Sequence, residues 1–309
     1  MAGKSEDEQA VVSYIYMTSA LRVLPCVDSA QMAAARRREL DIPREEAQRL
    51  GRSALEAIEA GRYLTGSGKV VAWADAVQAA RSAKRSISPE EPLPASTREP
   101  FPQTTLQVTN ETTLRAALRL AQRAVKVVAL NFANGVQPGG GFLHGARAQE
   151  ETLCRSSALY ATLEGDRMYE EHRQRPTPDS TNWAVYSPDV PVFRRDEGTE
   201  LDRPWLLSFI TCAAPVARAI GQPLAGDLSR ERIHRVLEIA KSFGYDAMIL
   251  GAWGCGAFGN DPHRTAMDFR VALENEFTGA FAEIVFAITD WSPERRTLGP
   301  FRDVLANPS

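Results

Sequence analysis

The order of apolar and polar residues changes character near residue 100. Before it, REEAQRLGRSALEAIEAGRYL (residues 44–64) sets Leu50, Ala54, Leu55 and Ile58 at helical spacing behind an acidic start, the pattern of an amphipathic helix. KVVAWADAVQAARSAKRS (69–86) predicts a short strand passing into a polar helix. This mostly helical prelude ends in SISPEEPLPASTREPFP (86–102), where five prolines fall within seventeen residues. A linker or surface-hugging loop is expected there. The pattern therefore divides the chain into a helical extension with a proline-rich linker, 1–100, and a second unit, 101–309.

In that second unit strands and helices alternate. TTLQVTN predicts a strand, ETTLRAALRLAQR an amphipathic helix, VKVVALNF a buried strand and ETLCRSSALYATL a second helix. WLLSFITCA, RERIHRVLEIAKSFG, AMILGAWG, RTAMDFRVALENEF and AEIVFAIT continue the alternation. The strands lack strict in/out polarity, as expected when helices cover both faces of a sheet. The class is α/β. Ligands of such folds sit at the carboxyl ends of strands, where loops meet helix N-termini.

Composition adds bounds. With 309 residues, 44% hydrophobic and 24% charged, the chain is ordinary globular material and general disorder is excluded. A net charge of −3 argues against a protein that tracks DNA backbones, while leaving room for a local anion pocket. No run of about 18 apolar residues occurs, and the start, MAGKSEDEQA, lacks the basic and apolar regions of a signal peptide. A soluble, cytoplasmic protein without membrane contact is expected. Cys26, Cys154, Cys212 and Cys255 form no C-x-x-C pair and read as reduced thiols. His144, His172, His234 and His263 show no metal-binding spacing.

Two glycine-rich loops follow strands. The first, NFANGVQPGGGFLHGARAQEE (131–151), holds five glycines and ends in adjacent glutamates. Three consecutive glycines exceed what a hairpin turn requires, so something lies against that backbone. The second, GAWGCGAFGND (251–261), lies between an apolar strand and a helix. Its backbone N–H groups can converge on an oxyanion, with the helix N-terminus adding favourable charge. Gly254, Gly256 and Gly259 satisfy G-x-G-x-x-G, but only about fifty residues follow, and Glu276 falls within a helical pattern. A dinucleotide site needs an acid at the tip of a second strand. This second loop contains no Lys followed by Ser or Thr, so it is not a triphosphate loop. A diphosphate that is bound but not transferred fits both loops. Phe258 either packs into the core below its loop or borders a sugar or base.

NFAN followed by GGG, a seven-residue spacer and QEE resembles the signature of poly(ADP-ribose) glycohydrolases. The downstream GAWGCGAFGND resembles the diphosphate loop of the bacterial type. The resemblance extends over about residues 45–290. It implies a macrodomain-like mixed sheet flanked by helices, with a helical N-terminal extension, and cleavage of ribose–ribose bonds in poly(ADP-ribose) to release ADP-ribose. It makes Glu151 the catalytic acid and Glu150 the residue that positions the adjoining ribose, with Asn134 bonding a terminal-ribose hydroxyl. Gly139, Gly140, Gly141 and Gln149 would bind from one side, and Gly254, Cys255, Gly256, Ala257, Phe258 and Gly259 from the other, with Phe258 beside the terminal ribose. No metal or cofactor is implied.

The residues themselves suit that chemistry. Riboside cleavage passes through an oxocarbenium-like state and needs an acid to protonate the departing oxygen. A glutamate enclosed by an apolar loop beside a second carboxylate has its acidity weakened by both, whereas a helix N-terminus acts the other way. QEE also reads as first-turn capping and dipole compensation. A silent ADP-ribose reader and an enzyme removing single ADP-ribose units remain as alternatives. Asn110 and Glu111 in TNETT fit either an adenine pocket or a helix cap.

Overall fold

The computed structural model describes residues 20–123 and 125–306, so the opening MAGKSEDEQA lies outside the described residues. Before the linker come β1 (Leu21–Val23), α1 (Ala30–Leu40), α2 (Arg44–Ala60), β2 (Arg62–Leu64), β3 (Val70–Ala72), α3 (Ala74–Ala83) and β4 (Arg85–Ile87). After it come β5 (Thr104–Thr109), α4 (Thr113–Ala121), β6 (Val127–Phe132), α5 (Gln149–Ser156), α6 (Leu159–Leu163) and α7 (Arg167–Arg173). The chain continues through β7 (Ala184–Arg194), β8 (Glu200–Cys212), α8 (Ala217–Ile220), α9 (Leu224–Ser242), β9 (Ala247–Leu250), α10 (Pro262–Glu274), β10 (Glu283–Ala287) and α11 (Leu298–Ala306).

Eight strands form one mixed sheet in the order β1-β5-β10-β9-β6-β8-β7-β4, and β2 pairs with β3 alone. Neighbours from β1 through β8 run parallel, while β7 and β4 add antiparallel pairs. Alternate residues of β6 feed opposite cores: Val127 and Ala129 pack with α2 to α6, and Val128 and Leu130 with α9 to α11. Burial on both faces explains why these strands read as continuous apolar runs.

The change of composition near residue 100 does not coincide with a break in the sheet. Both edge strands, β1 and β4, come from before it. The expected linker also yields its first two residues to β4, because Ile87 is fully buried against the sheet. From Ser88 to Gln103 no helix or strand forms. Helix α2 matches its sequence pattern and stops at Gly61, whose φ of 63° suits a left-handed cap.

Three local differences have clear causes. The helix expected from ETLCRSSALYATL breaks at Ser157, whose hydroxyl bonds back to the Leu153 carbonyl at 2.8 Å. There the chain pairs with β7 instead, through Ala158 N–H to the Pro191 carbonyl at 2.9 Å. Strand β7 escapes the sequence pattern because it contains Pro188 and Pro191 and a register shift between Ser187 and Val190. Helix α10 ends at Glu274, so Glu276 lies in the following turn.

Candidate active site

Strand β6 delivers the first glycine loop to the carboxyl edge of the sheet. Gly139 and Gly140 adopt φ of 69° and 56°, and the chain curls over the first turn of α5. Glu150 and Glu151 occupy that turn. They are not solvent-facing caps. Glu150 is 3% exposed and Glu151 8%, and Ala148 at the cap position supplies no side-chain bond.

The two carboxyls differ in their partners. Glu150 is held at both oxygens: Oε2 accepts the Asn134 N–H at 2.7 Å, and Oε1 accepts Asn131 Nδ2 at 3.3 Å. Glu151 Oε1 accepts the Gly141 N–H at 3.0 Å. Its Oε2 is buried without a hydrogen-bond partner. A β-carbon on Gly140 would overlap Glu151 Oε1, while one on Gly139 would meet Phe142 and Cys154 and one on Gly141 would meet Ala146, so the middle glycine is needed to admit the carboxyls.

Burial pushes Glu150 up to about 8; the nearby Glu151 charge adds to this, while the N–H donors of Asn134, Asn131 and Gly139 oppose it. Arg155, next to the pair on α5, is also buried, and desolvation lowers its pKa.

Gln149 does not present a free amide. Its Oε1 accepts the Phe132 N–H at 2.9 Å, and its Nε2 donates to the Leu130 carbonyl at 2.8 Å and to Thr113 at 3.2 Å. The side chain thus fastens α5 to the end of β6. Asn134 uses its Oδ1 to accept the N–H groups of Val136 and Gln137. Asn131, the first residue of NFAN and given no role in the motif, reaches both Glu150 and Thr211 of β8. Its signal was a polar residue inside an otherwise apolar strand.

The second loop is shaped by Gly254 and Gly259, with φ of 74° and 75°, and by Asn260, whose Nδ2 donates to the carbonyls of Pro215 and Gly254 at 2.8 and 3.2 Å. Gly256 faces open space. The first amides of α10 are not free for an anion, since Asp261 accepts from His263 and Arg264. Cys255 turns inward toward Thr265 and Trp253, and burial raises its thiol to about 12. Gly259 turns against Arg218.

Between the two loops lies a cleft of about 310 Å³, within the size range of small-molecule sites. It sits at the carboxyl ends of the parallel strands, where Phe132, Trp253 and Ile288 meet Thr112 and Thr113. Of the expected binding residues it brings together Gln149, Gly254, Gly256, Ala257 and Phe258. Gly139, Gly140, Gly141, Glu150 and Glu151 are not among its lining residues, nor are Asn134, Cys255 and Gly259, although Gln149 and Thr152, which flank the two glutamates on α5, are. Phe258 is partly packed on the core and also lines the cleft. Asn110 is a structural tie, bonded to Asp28 and Asp290. Thr112 caps α4 and also bonds Asp196 at 2.7 Å; burial raises Asp196 to about 6. Glu111 and Trp253 of the second glycine loop line the cleft, and Asp196 and Trp291 join it from segments carrying no motif. Among the described residues no group of His, Cys, Asp and Glu is placed to hold a metal ion.

Residues 51–195 match the family described as microbial-type PARG, catalytic domain. The solved poly(ADP-ribose) glycohydrolase of Thermomonospora curvata is 40% identical, with a TM-score of 0.79 over 84% of this chain and 99% of that one. This chain belongs to the microbial-type poly(ADP-ribose) glycohydrolase family. Its fold is accordingly that family's macrodomain-like mixed sheet between helices. Similarity extends to the T. curvata enzyme bound to the inhibitor ADP-HPD, at 40% identity and a TM-score of 0.78, across 84% of this chain and 99% of that one. The glycohydrolase from Deinococcus radiodurans in complex with ADP-ribose is 43% identical, with a TM-score of 0.70 over 74% of this chain and 96% of that one. No curated protein matches the chain in sequence. No helix among the described residues is long and apolar enough to cross a membrane.

Proposed function

We propose that this glycohydrolase hydrolyses the ribose–ribose bonds of poly(ADP-ribose) and releases ADP-ribose, with Glu151 as the general acid. Family membership supports the reaction, and one observation supports the residue. Glu151 is fixed through Oε1 by the Gly141 N–H while Oε2 is buried and uncommitted. A carboxyl so held can give its proton to the departing ribose oxygen as the oxocarbenium-like state forms. Glu150 has both oxygens engaged by the protein, which suits a fixed group beside the ribose. In this reading the loop of Gly254 to Gly259 approaches the diphosphate, Phe258 borders the terminal ribose, and Asn134 contacts a ribose hydroxyl.

A domain that only reads ADP-ribose has no use for a shielded carboxyl with one free oxygen, which favours hydrolysis. The substrates are poly(ADP-ribose) and the proteins carrying it, with no part for membrane or direct DNA contact. Four free cysteines support a reducing, cytoplasmic setting. Residues 101–309 would carry the ADP-ribose site, with 1–100 as its extension. The test is incubation with purified poly(ADP-ribose) and, separately, with mono-ADP-ribosylated protein, followed by identification of the products. ADP-ribose released from polymer alone is expected. Release from the mono-modified protein alone would replace the proposal with removal of single units.

A further inference from the structure

Gly51 stands in the middle of α2, where glycine weakens a helix relative to alanine. Its reason is Phe142. A β-carbon at 51 would overlap the Phe142 carbonyl oxygen and lie 3.3 Å from the Phe142 ring. On the same helix Gln48 Nε2 donates to the Leu143 carbonyl at 3.1 Å, and Arg44 Nε to the His144 carbonyl at 2.9 Å. Just before the helix, Asp41 and the Ile42 carbonyl accept from Arg147 at 2.9 and 2.6 Å. Residues 142–147 are thereby gripped from the N-terminal extension.

That gripped segment reaches the acid directly. The N–H groups of His144 and Ala146 both return to the Gly141 carbonyl, at 2.9 and 3.1 Å, and the Gly141 N–H holds Glu151 Oε1. Each link is a hydrogen bond of ordinary length, so a shift of the turn moves the donor that aims the carboxyl.

We infer that α2 is a positioning element for Glu151, with Gly51, Gln48 and Arg44 setting the height of the 141–147 turn. None of the three touches the reacting atoms. The inference rests on the assignment of Glu151 as the acid, and it gives the N-terminal extension a share in turnover.

The test uses the full chain carrying Gly51→Ala, with Gln48→Ala as a second variant free of any overlap. Arg52→Ala, on the exposed side of α2, serves as control. Misplacement of a reacting group by ~1 Å can cost ~10²-fold in rate. Turnover of saturating polymer is therefore expected to fall roughly tenfold or more in Gly51→Ala, and by less in Gln48→Ala. KM and calorimetric ADP-ribose affinity stay within about threefold, and the Gly141 amide exchanges its hydrogen faster. Wild-type turnover with unchanged Gly141 exchange in both variants would overturn the inference. So would a parallel fall of turnover, affinity and melting temperature, which marks a general structural role. If the wild-type protein releases nothing from polymer, the glycohydrolase reading fails, while Gly141 exchange still decides whether α2 sets the turn.

Discussion

Gly140 and Glu151 meet with no room for a methyl group between them. A β-carbon at 140 would overlap Glu151 Oε1 and lie 3.1 Å from Glu150 Oε2, and the residue's φ is 56°. The middle glycine of the triplet is thus required by the carboxyls as well as by the turn. Gly140→Ala should cost ~1–3 kcal/mol of stability through backbone strain and displace the acid. Urea denaturation and polymer turnover check this; a stable variant with wild-type turnover would contradict it.

Exchange of one atom separates the two glutamates. Glu151→Gln keeps the shape but has no proton to give, so turnover should fall by the ~10²–10⁴-fold typical of general acid–base catalysis. ADP-ribose binding should persist, because Gly141 can still donate to the amide oxygen. Steady-state release of ADP-ribose and calorimetry on the folded variant report both quantities. Near-normal turnover would remove Glu151 from the mechanism.

Glu150 should shape how stability responds to pH. Its folded pKa of about 8 lies above the ordinary 4.5, so between those values the native state binds more protons than the unfolded state. Stability contributed through this group therefore falls as pH rises across that window. Asp196, raised from 3.8 to about 6, acts in the same direction over a lower range. Glu150→Gln should flatten the decline between about pH 4.5 and 8 and stabilise the protein at the alkaline end by a few kcal/mol, on the order expected for a shift of this size. Parallel pH profiles of unfolding free energy for the two proteins would refute the assignment.

Gly256 offers a probe of the second loop that leaves the fold intact. A β-carbon there meets nothing within 4 Å, and the residue lines the cleft. Gly256→Val should melt like the wild type while losing ADP-ribose affinity by tenfold or more, roughly 1.4 kcal/mol. Unchanged affinity would place the diphosphate elsewhere. Phe258→Ala, at the same rim, should lower turnover more than affinity.

Much of the α/β order was legible because it is written in local patterns. Strands β6, β9 and β10 are largely apolar runs, β5 alternates Leu106 and Val108 with polar residues, and α2, α4 and α9 carry helical spacing. The carboxyl pair and both glycine loops were likewise contiguous, as were the residues that linked them to a family. Sequence could not assign the helical break at Ser157, because the competing partner is Pro191, distant along the chain. Nor could it show that Gln149 is spent on the Leu130 and Phe132 backbone.

The chain by itself determined many of the helices and strands and the two glycine loops with their adjacent carboxyls, since periodicity, glycine content and adjacent charges act over a few residues. Tertiary structure decided which carboxyl oxygen stays free and how deeply each glutamate is buried. It also set α2 against the turn that holds Glu151. These depend on groups far apart in sequence: Asn131 with Glu150, and Gly51 with Phe142. Only folding brings such groups within bonding distance.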